Sequence, residues 1–184
     1  MATNEQPVTF LARAYALAAA RHAGQRRNAA REEPYLNHLV EVANLLAFAT
    51  DGGDMVLVAG GVLHDTLEDT ETTTEELTAL FGPEVAALVG EVTDPSGLEE
   101  NARRQRQIEH AHELSRRGKL LKIADKTSNI RERLAHRPPG LSDQQIRDYV
   151  DWGAMVVAGC RGLNARLEDA FDEAYEAAMK LYGG

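Results

Sequence analysis

Several features are scarce in this chain of 184 residues. Its single cysteine, Cys160, excludes an intramolecular disulfide and favours a reducing compartment. The first residues lack the basic start, apolar core and cleavage site of a signal peptide. No apolar run approaches the roughly 20 residues that a membrane-spanning helix needs. We therefore expect a cytoplasmic protein.

Positive charge is also in short supply. The chain has 20 Lys and Arg against 29 Asp and Glu, which gives a formal net charge of -9. Proteins that bind nucleic acid generally use a basic face to displace counterions from the phosphates. The charge balance therefore argues against a nucleic-acid partner, and the absence of long apolar runs argues against a membrane.

The residues that are plentiful predict a helical fold. Apolar residues make up 43% and charged residues 27% of the chain, a balance typical of one globular domain of this length. Apolar positions recur with helical spacing and strand-like alternation is missing, so we expect an all-α, compact single-domain helical array over residues 1–184. We also expect residues 72–74 to cap a helix that ends at Phe81, and Gly118 to end an Arg-rich helix over 99–117.

One stretch, GGVLHDTLEDT at 60–70, places polar residues directly after an apolar run. On a continuing helix His64 and Glu68 would share one face, and Asp65 and Asp69 the adjacent face. The first pair could hold a cation, and the second pair could orient or deprotonate a water molecule. The alternative is the solvated end of a core helix.

Two distant polar residues favour the metal interpretation. His38 lies on the inward face of a predicted helix, and Asp125 follows the apolar run LLKIA. A buried carboxylate is costly unless it is paired or bound to a metal. With His64 and Asp65 they form a mixed nitrogen and oxygen set suited to Mn²⁺, Fe²⁺ or Zn²⁺. His22 also faces inward, so spacing alone leaves open whether His22 or His38 is the ligand.

The order H…HD…D resembles the signature of the HD phosphohydrolase superfamily. The surrounding motifs are similar to the hydrolase domain of RelA/SpoT-type alarmone enzymes of the stringent response, most of all the small stand-alone SpoT-like hydrolases of the metazoan type. The matching segments are GQRR (24–27), PYLNH (34–38), VLHDTLEDT (62–70), FGPEV (81–85), EVTD (91–94), KIADKTSNIR (122–131) and DYVDW (148–152). They follow the family's order across about residues 10 to 182. The chain ends where longer relatives would begin a synthetase domain, so the resemblance implies a hydrolase-only member with the HD fold.

The resemblance implies a set of metal ligands. In the family a metal, typically Mn²⁺, is held by the residues that correspond to His38, His64, Asp65 and Asp125. The family's first ligand is the histidine of the PYxxH motif, which selects His38. His22 is then either a pocket residue or a histidine of the core.

The resemblance also implies catalytic and substrate-binding residues. Glu68 and Asp69 match the carboxylates that activate the attacking water. Arg27 matches an arginine that meets substrate phosphates, for which a planar bidentate donor is suited. Asn129 and Tyr149 match residues that line the nucleotide pocket, and for Tyr149 a packing role is the alternative.

The chain departs from the family pattern at the rim of the pocket. The lysine of the family's Gln-x-Arg-Lys pattern is replaced by Asn28, and Arg26 or Arg31 are the candidates to compensate. Thr127 and Ser128 replace an apolar-aromatic pair. These changes leave the implied metal ligands and carboxylates complete.

The resemblance thus implies Mn²⁺-dependent hydrolysis of the 3′-pyrophosphate of guanosine tetra- or pentaphosphate, ppGpp or pppGpp, to GDP or GTP and pyrophosphate. The expected partner is this small nucleotide. One alternative is an HD phosphohydrolase acting on another 3′- or 2′-phosphorylated nucleotide, such as NADPH or ppApp. Another is a non-catalytic nucleotide sensor. The complete set of ligands and carboxylates favours an enzyme.

Overall fold

The structure, a computed structural model, describes residues 6–28 and 32–183. The candidate Arg31 lies outside the described residues, and so does the side chain of Asn28. Helices dominate the described chain, which confirms the all-α prediction. The chain divides into two compact units, Met1–Thr93 and Asp94–Gly184. The prediction of one functional domain over 1–184 stays a prediction.

The first unit is built mainly from helices. These helices are α1 (Pro7–Arg21), α2 (Leu36–Ala49), α3 (Met55–Leu63), α4 (Thr66–Asp69), α5 (Thr74–Phe81) and α6 (Pro83–Val92). Two short antiparallel strands, β1 (Arg26–Asn28) and β2 (Glu33–Pro34), lie between α1 and α2. The expectation of no strands was wrong here, because strands of three and two residues are too short to show an alternating pattern.

Helix α3 is the buried centre of this unit. Its N-terminus is capped by Asp54, whose carboxylate accepts a hydrogen bond from the backbone N–H of Leu57 at 3.0 Å. A Cβ added at Gly61 would lie 2.7 Å from Leu46 Cδ1 and 3.4 Å from Ala43 Cα, both on α2. Gly61 therefore allows the close approach of α2 and α3.

The predicted continuous helix through residues 60–70 is wrong at one point. Helix α3 ends at Leu63, and His64 and Asp65 form a turn before α4 begins. Thr66 Oγ1 donates to the Leu63 carbonyl at 2.6 Å, and a ring nitrogen of His64 lies 2.9 Å from the Gly61 carbonyl. Side chains that bond to nearby carbonyl groups compete with the helical ladder. The turn places His64 and Asp65 between two helices.

The predicted cap of α5 is confirmed. Thr73 Oγ1 accepts a hydrogen bond from the Glu76 N–H at 3.2 Å, and the helix ends at Phe81. Gly82 follows with φ of 85°, a left-handed conformation that glycine adopts without strain.

The second unit consists of four longer helices. These helices are α7 (Glu100–His110), α8 (Arg116–Ala135), α9 (Asp143–Ala158) and α10 (Ala165–Tyr182). The predicted helix end at Gly118 is wrong, because Gly118 lies in the first turn of α8 and donates its N–H to Ser115 Oγ at 3.1 Å. The break comes earlier, at a 3₁₀ turn over Ala111–Glu113. Among the described residues, no helix is both long and apolar enough to cross a membrane.

Candidate active site

Three of the four residues implied as metal ligands lie together in the first unit. His38 is on α2, while His64 and Asp65 form the turn between α3 and α4. Their ligand atoms all lie within 4.8 Å of one another. Asp65 Oδ2 is 3.1 Å from His64 Nε2 and 3.7 Å from His38 Nε2. Both imidazoles are buried, at 2% and 6% exposure for His38 and His64.

The hydrogen bonding of His64 fits a cation. Its Nδ1 lies 2.9 Å from the Gly61 carbonyl oxygen, which can only accept, so Nδ1 carries the proton. In the neutral ring Nε2 then presents its lone pair toward Asp65 Oδ2. Two electron-rich atoms 3.1 Å apart require a positive charge between them, either a proton or a metal ion. The nitrogen and oxygen donors of this cluster fit a divalent metal.

Tyr35 belongs to the same cluster, although the sequence did not predict its role. Its hydroxyl donates to Asp65 Oδ2 at 2.6 Å. Its ring stacks on His22 with centroids 5.2 Å apart and an interplanar angle of 28°. The feature of the sequence that could have indicated this role is the position of Tyr35 three residues before His38 in PYLNH. Tyr35 orients the carboxylate that faces both imidazoles.

His22 is buried beside the cluster but is not part of the group of possible metal ligands among the described residues. Gln25 Nε2 donates to the Asp69 carbonyl at 2.9 Å, which leaves Gln25 Oε1 to accept from His22 Nδ1 at 2.7 Å. Within the described chain, His22 Nε2 is buried and has no hydrogen-bond partner. His22 therefore connects to the backbone of the second carboxylate pair, and it is not a fully satisfied core histidine.

Glu68 and Asp69 lie on α4, and both are exposed. Partial burial of the carboxyl group, and then the charges of Asp65 and Glu68, raise the pKa of Asp69 above its ordinary value. His22 and His64 oppose this shift. Asp69 thus takes up a proton more readily than an ordinary aspartate.

Asp125, the fourth implied ligand, lies in the second unit on α8 and is buried. Its carboxylate accepts from Lys126 Nζ at 3.0 Å and from Asn129 Nδ2 at 2.6 Å. Burial opposes the charge of Lys126, but Asp125, followed by Tyr149 and Asp94, outweighs that effect and raises the pKa of the lysine. Asp125 is therefore in direct contact with a buried ammonium group. Its role as a metal ligand stays a prediction.

Tyr149, on α9, is surrounded by cations and another ring. The guanidinium carbon of Arg133 lies 3.4 Å from the ring centroid, and that of Arg104 lies 5.6 Å away. The Trp152 ring packs against Tyr149 at a centroid distance of 5.2 Å. Tyr149 thus has the packing role that the sequence left open, and its role in nucleotide binding stays a prediction.

The two arginines expected to meet phosphate differ in their surroundings. The side chain of Arg27 is 8% exposed, and its Nη1 is 3.2 Å from Glu41 Oε2 on α2. Arg26 is exposed, and its Nη1 donates to the carbonyl groups of Ala23 and Gln25 at 3.3 and 3.2 Å. A phosphate would have to compete with Glu41 for Arg27. Both phosphate roles stay predictions.

Comparison with known proteins identifies the family. A profile of the HD domain matches residues 14–148. The chain belongs to the HD domain family. This HD domain protein is 39% identical over 165 residues to guanosine-3′,5′-bis(diphosphate) 3′-pyrophosphohydrolase MESH1 of Danio rerio, covering 89% of this chain and 92% of that one. It is also 39% identical to the Homo sapiens MESH1 over 159 residues, 86% of this chain and 89% of the relative.

A solved structure has the same fold as this chain. It is described as a metazoan ortholog of SpoT that hydrolyzes ppGpp, and it superposes on this HD domain protein with a TM-score of 0.88 at 37% identity. The match covers 94% of this chain and 97% of that one. The predicted HD-type helical fold and the resemblance to SpoT-like hydrolases are confirmed.

Proposed function

We propose that the protein hydrolyses ppGpp or pppGpp at the 3′ position and releases pyrophosphate with GDP or GTP. The observation that carries this proposal is the cluster of the buried His38 and His64 with the half-buried Asp65, which is followed on α4 by Glu68 and Asp69. Relatives that match over most of their length are named for the same activity.

The proposed metal is Mn²⁺, with His38, His64 and Asp65 as ligands. Asp125, a buried carboxylate of the second unit, is the proposed fourth ligand. Imidazole and carboxylate donors suit Mn²⁺, and the donor set alone also allows Fe²⁺ or Zn²⁺. When bound, the metal supplies Lewis acidity, which makes a water molecule more acidic and offsets charge on the phosphoryl oxygens.

The side chains of the protein transfer the protons and bind the substrate. Glu68 accepts a proton from the attacking water while the water oxygen bonds to the 3′ phosphorus and the bond from phosphorus to O3′ breaks. Asp69, whose pKa is raised, is suited to return a proton to O3′. Tyr35 holds Asp65 in orientation through its hydroxyl group. The proposed nucleotide-binding residues are Arg26, Arg27, Asn129 and Tyr149.

The proposed location is the cytoplasm. Cys160 is fully buried, and burial raises the pKa of its thiol to about 11. The thiol therefore stays protonated and unreactive near neutral pH, as suits a structural cysteine in a reducing compartment.

The test is to incubate Mn²⁺-loaded protein with ppGpp and to measure pyrophosphate release and the nucleotide product. Glu68→Gln should lower kcat about 100- to 1,000-fold with unchanged Mn²⁺ content, because it removes a proton acceptor but none of the proposed ligands. Glu75→Gln, an exposed change on α5, is the control and should keep full activity.

Other outcomes would separate the alternatives. Tight binding of ppGpp without turnover would contradict the enzyme and favour a sensor. Turnover of other 3′- or 2′-phosphorylated nucleotides with ppGpp left intact would contradict only the substrate.

A further inference from the structure

Arg133 is an arginine of the second unit that no sequence motif singles out. It lies on α8, one turn after Asn129, and its guanidinium carbon is 3.4 Å from the centroid of the Tyr149 ring. Its Nη1 donates to the Asn129 carbonyl at 2.8 Å, and its own carbonyl accepts from the Tyr182 hydroxyl at 2.6 Å. Both the backbone and the guanidinium of Arg133 are thus held in place beside the two residues expected to line the nucleotide pocket.

The guanidinium has donor capacity left. Among the described residues, Nε of Arg133 is buried and has no hydrogen-bond partner. Leaving a buried N–H without an acceptor costs free energy, so such an atom calls for an explanation. The guanidinium is therefore not fully satisfied by its contacts within the described residues.

Three other arginines of this unit lie in ion pairs. Arg104 pairs with Glu100, Arg106 with Asp94, and Arg137 with Asp143. No ion pair of the described residues includes Arg133. In a chain with a net charge of -9, a fixed arginine without a paired carboxylate creates a local preference for an anion.

The position of the guanidinium along α8 indicates which part of the nucleotide it faces. Side chains on a helix point toward its N-terminus, and the bond to the Asn129 carbonyl places the guanidinium at the level of Asn129. That level is four residues, or about 6 Å along the axis, from Asp125. If Asp125 helps to hold the metal at the 3′ phosphate, a second group some ångströms away faces a different part of the nucleotide.

We propose that Arg133, fixed against Tyr149, binds the 5′ phosphates of the substrate and sets the preference for nucleotides that are phosphorylated at both ribose positions. The planar fork of an arginine matches phosphate oxygens, and Nη2 is not used in the bond to the Asn129 carbonyl. This inference rests on the proposed function, because it assumes a nucleotide whose 3′ phosphate is the reacting group.

The experiment compares ppGpp with guanosine 3′-diphosphate that carries a free 5′ hydroxyl. Arg133→Leu should raise the KM for ppGpp about tenfold and leave kcat within about twofold, since the contact is made in the ground state as well as in the transition state. For the nucleotide without 5′ phosphates, the wild type and the variant should have the same KM. Arg133→Lys should recover part of the loss, because it keeps the charge without the planar fork.

Arg137→Leu is the matched control. Arg137 also lies over a tyrosine ring, that of Tyr182 at 5.9 Å, and its removal changes the net charge equally. The KM of the Arg137→Leu variant should equal that of the wild type on both substrates. Thermal unfolding of each variant shows that the loss on ppGpp does not come from misfolding.

Two results would overturn the inference. One is an unchanged KM for ppGpp in Arg133→Leu, and the other is an equal rise in KM for both substrates. If the wild type fails to hydrolyse ppGpp, the proposed function fails, and calorimetric titration with GDP then decides the phosphate contact. Weaker GDP binding in Arg133→Leu than in Arg137→Leu supports it, and equal binding overturns it.

Discussion

The two units of the chain differ in the fixed polar groups that could meet a ligand. In the first unit two imidazoles and a carboxylate converge, and their lone pairs favour a cation. In the second unit, Arg133 is fixed against the Tyr149 ring and lies in no ion pair of the described residues, which favours an anion, whereas Lys126 is paired with the Asp125 carboxylate. An enzyme that cleaves a phosphate ester needs both kinds of group. We therefore expect changes at the histidine and carboxylate cluster of the first unit to act on metal binding, and a change at Arg133 to act on phosphate recognition.

The largest effect should follow from Asp65→Asn. Loss of the anionic ligand should lower Mn²⁺ affinity more than about 100-fold, and kcat/KM for ppGpp about 1,000-fold. Metal content after dialysis and pyrophosphate release are the measurements. Asp51→Asn is the control, because Asp51 has φ of 50°, which asparagine tolerates, and it lies in an exposed turn. Retention of a full equivalent of Mn²⁺ in Asp65→Asn would show that Asp65 is not a metal ligand.

A large effect on stability is expected in the second unit. Lys126→Met removes a buried ammonium that is 3.0 Å from the Asp125 carboxylate, so that carboxylate loses its ion-pair partner. The free energy of unfolding should fall by about 3 kcal/mol, as measured by urea denaturation of the metal-free protein. Arg161→Met breaks an exposed pair with Asp172 and should cost less than about 1 kcal/mol. Equal losses in both variants would mean that the buried lysine has no special structural role.

The sequence predicted the parts that depend on periodicity and on residue type. The polar residues His38, His64 and Asp125 were recognisable because each interrupts an apolar helical pattern, and the structure buries all three. The turn at His64 was not predictable in this way, because it depends on side chains that bond to the carbonyl groups of α3. Arg133 reads in sequence as one more charge on a helix face, since its contact with Tyr149 joins residues on two different helices.

A smaller effect should separate two tyrosines that each donate to an aspartate. Tyr35→Phe removes the hydroxyl that donates to Asp65 Oδ2 at 2.6 Å, and Mn²⁺ affinity should fall about tenfold, as measured by calorimetric titration. Tyr175→Phe removes a comparable bond to Asp151 Oδ1 at 2.9 Å in the second unit and should leave Mn²⁺ affinity unchanged. The same loss in both variants would point to a general effect on folding.

The smallest effect concerns two aspartates whose pKa values shift in opposite directions. Burial and the neighbouring charges raise the pKa of Asp69, whereas the hydrogen bond from Arg161 lowers that of Asp172. A raised carboxyl pKa means that the folded state binds the proton more tightly, so stability falls as pH rises from 3.8 through the raised pKa. Asp69→Asn should therefore raise the Tm of the metal-free protein slightly at pH 7.

Asp172→Asn should lower the Tm slightly at pH 7, because the lowered pKa contributes stability above 3.8 that is lost only as pH falls below it. The two variants should also separate by pH. Near pH 3.8 the gain from Asp69→Asn should have nearly disappeared, while most of the loss from Asp172→Asn remains. A lower Tm for Asp69→Asn at pH 7 would contradict the inference that burial and the neighbouring carboxylates at the proposed metal site lower the stability of the first unit.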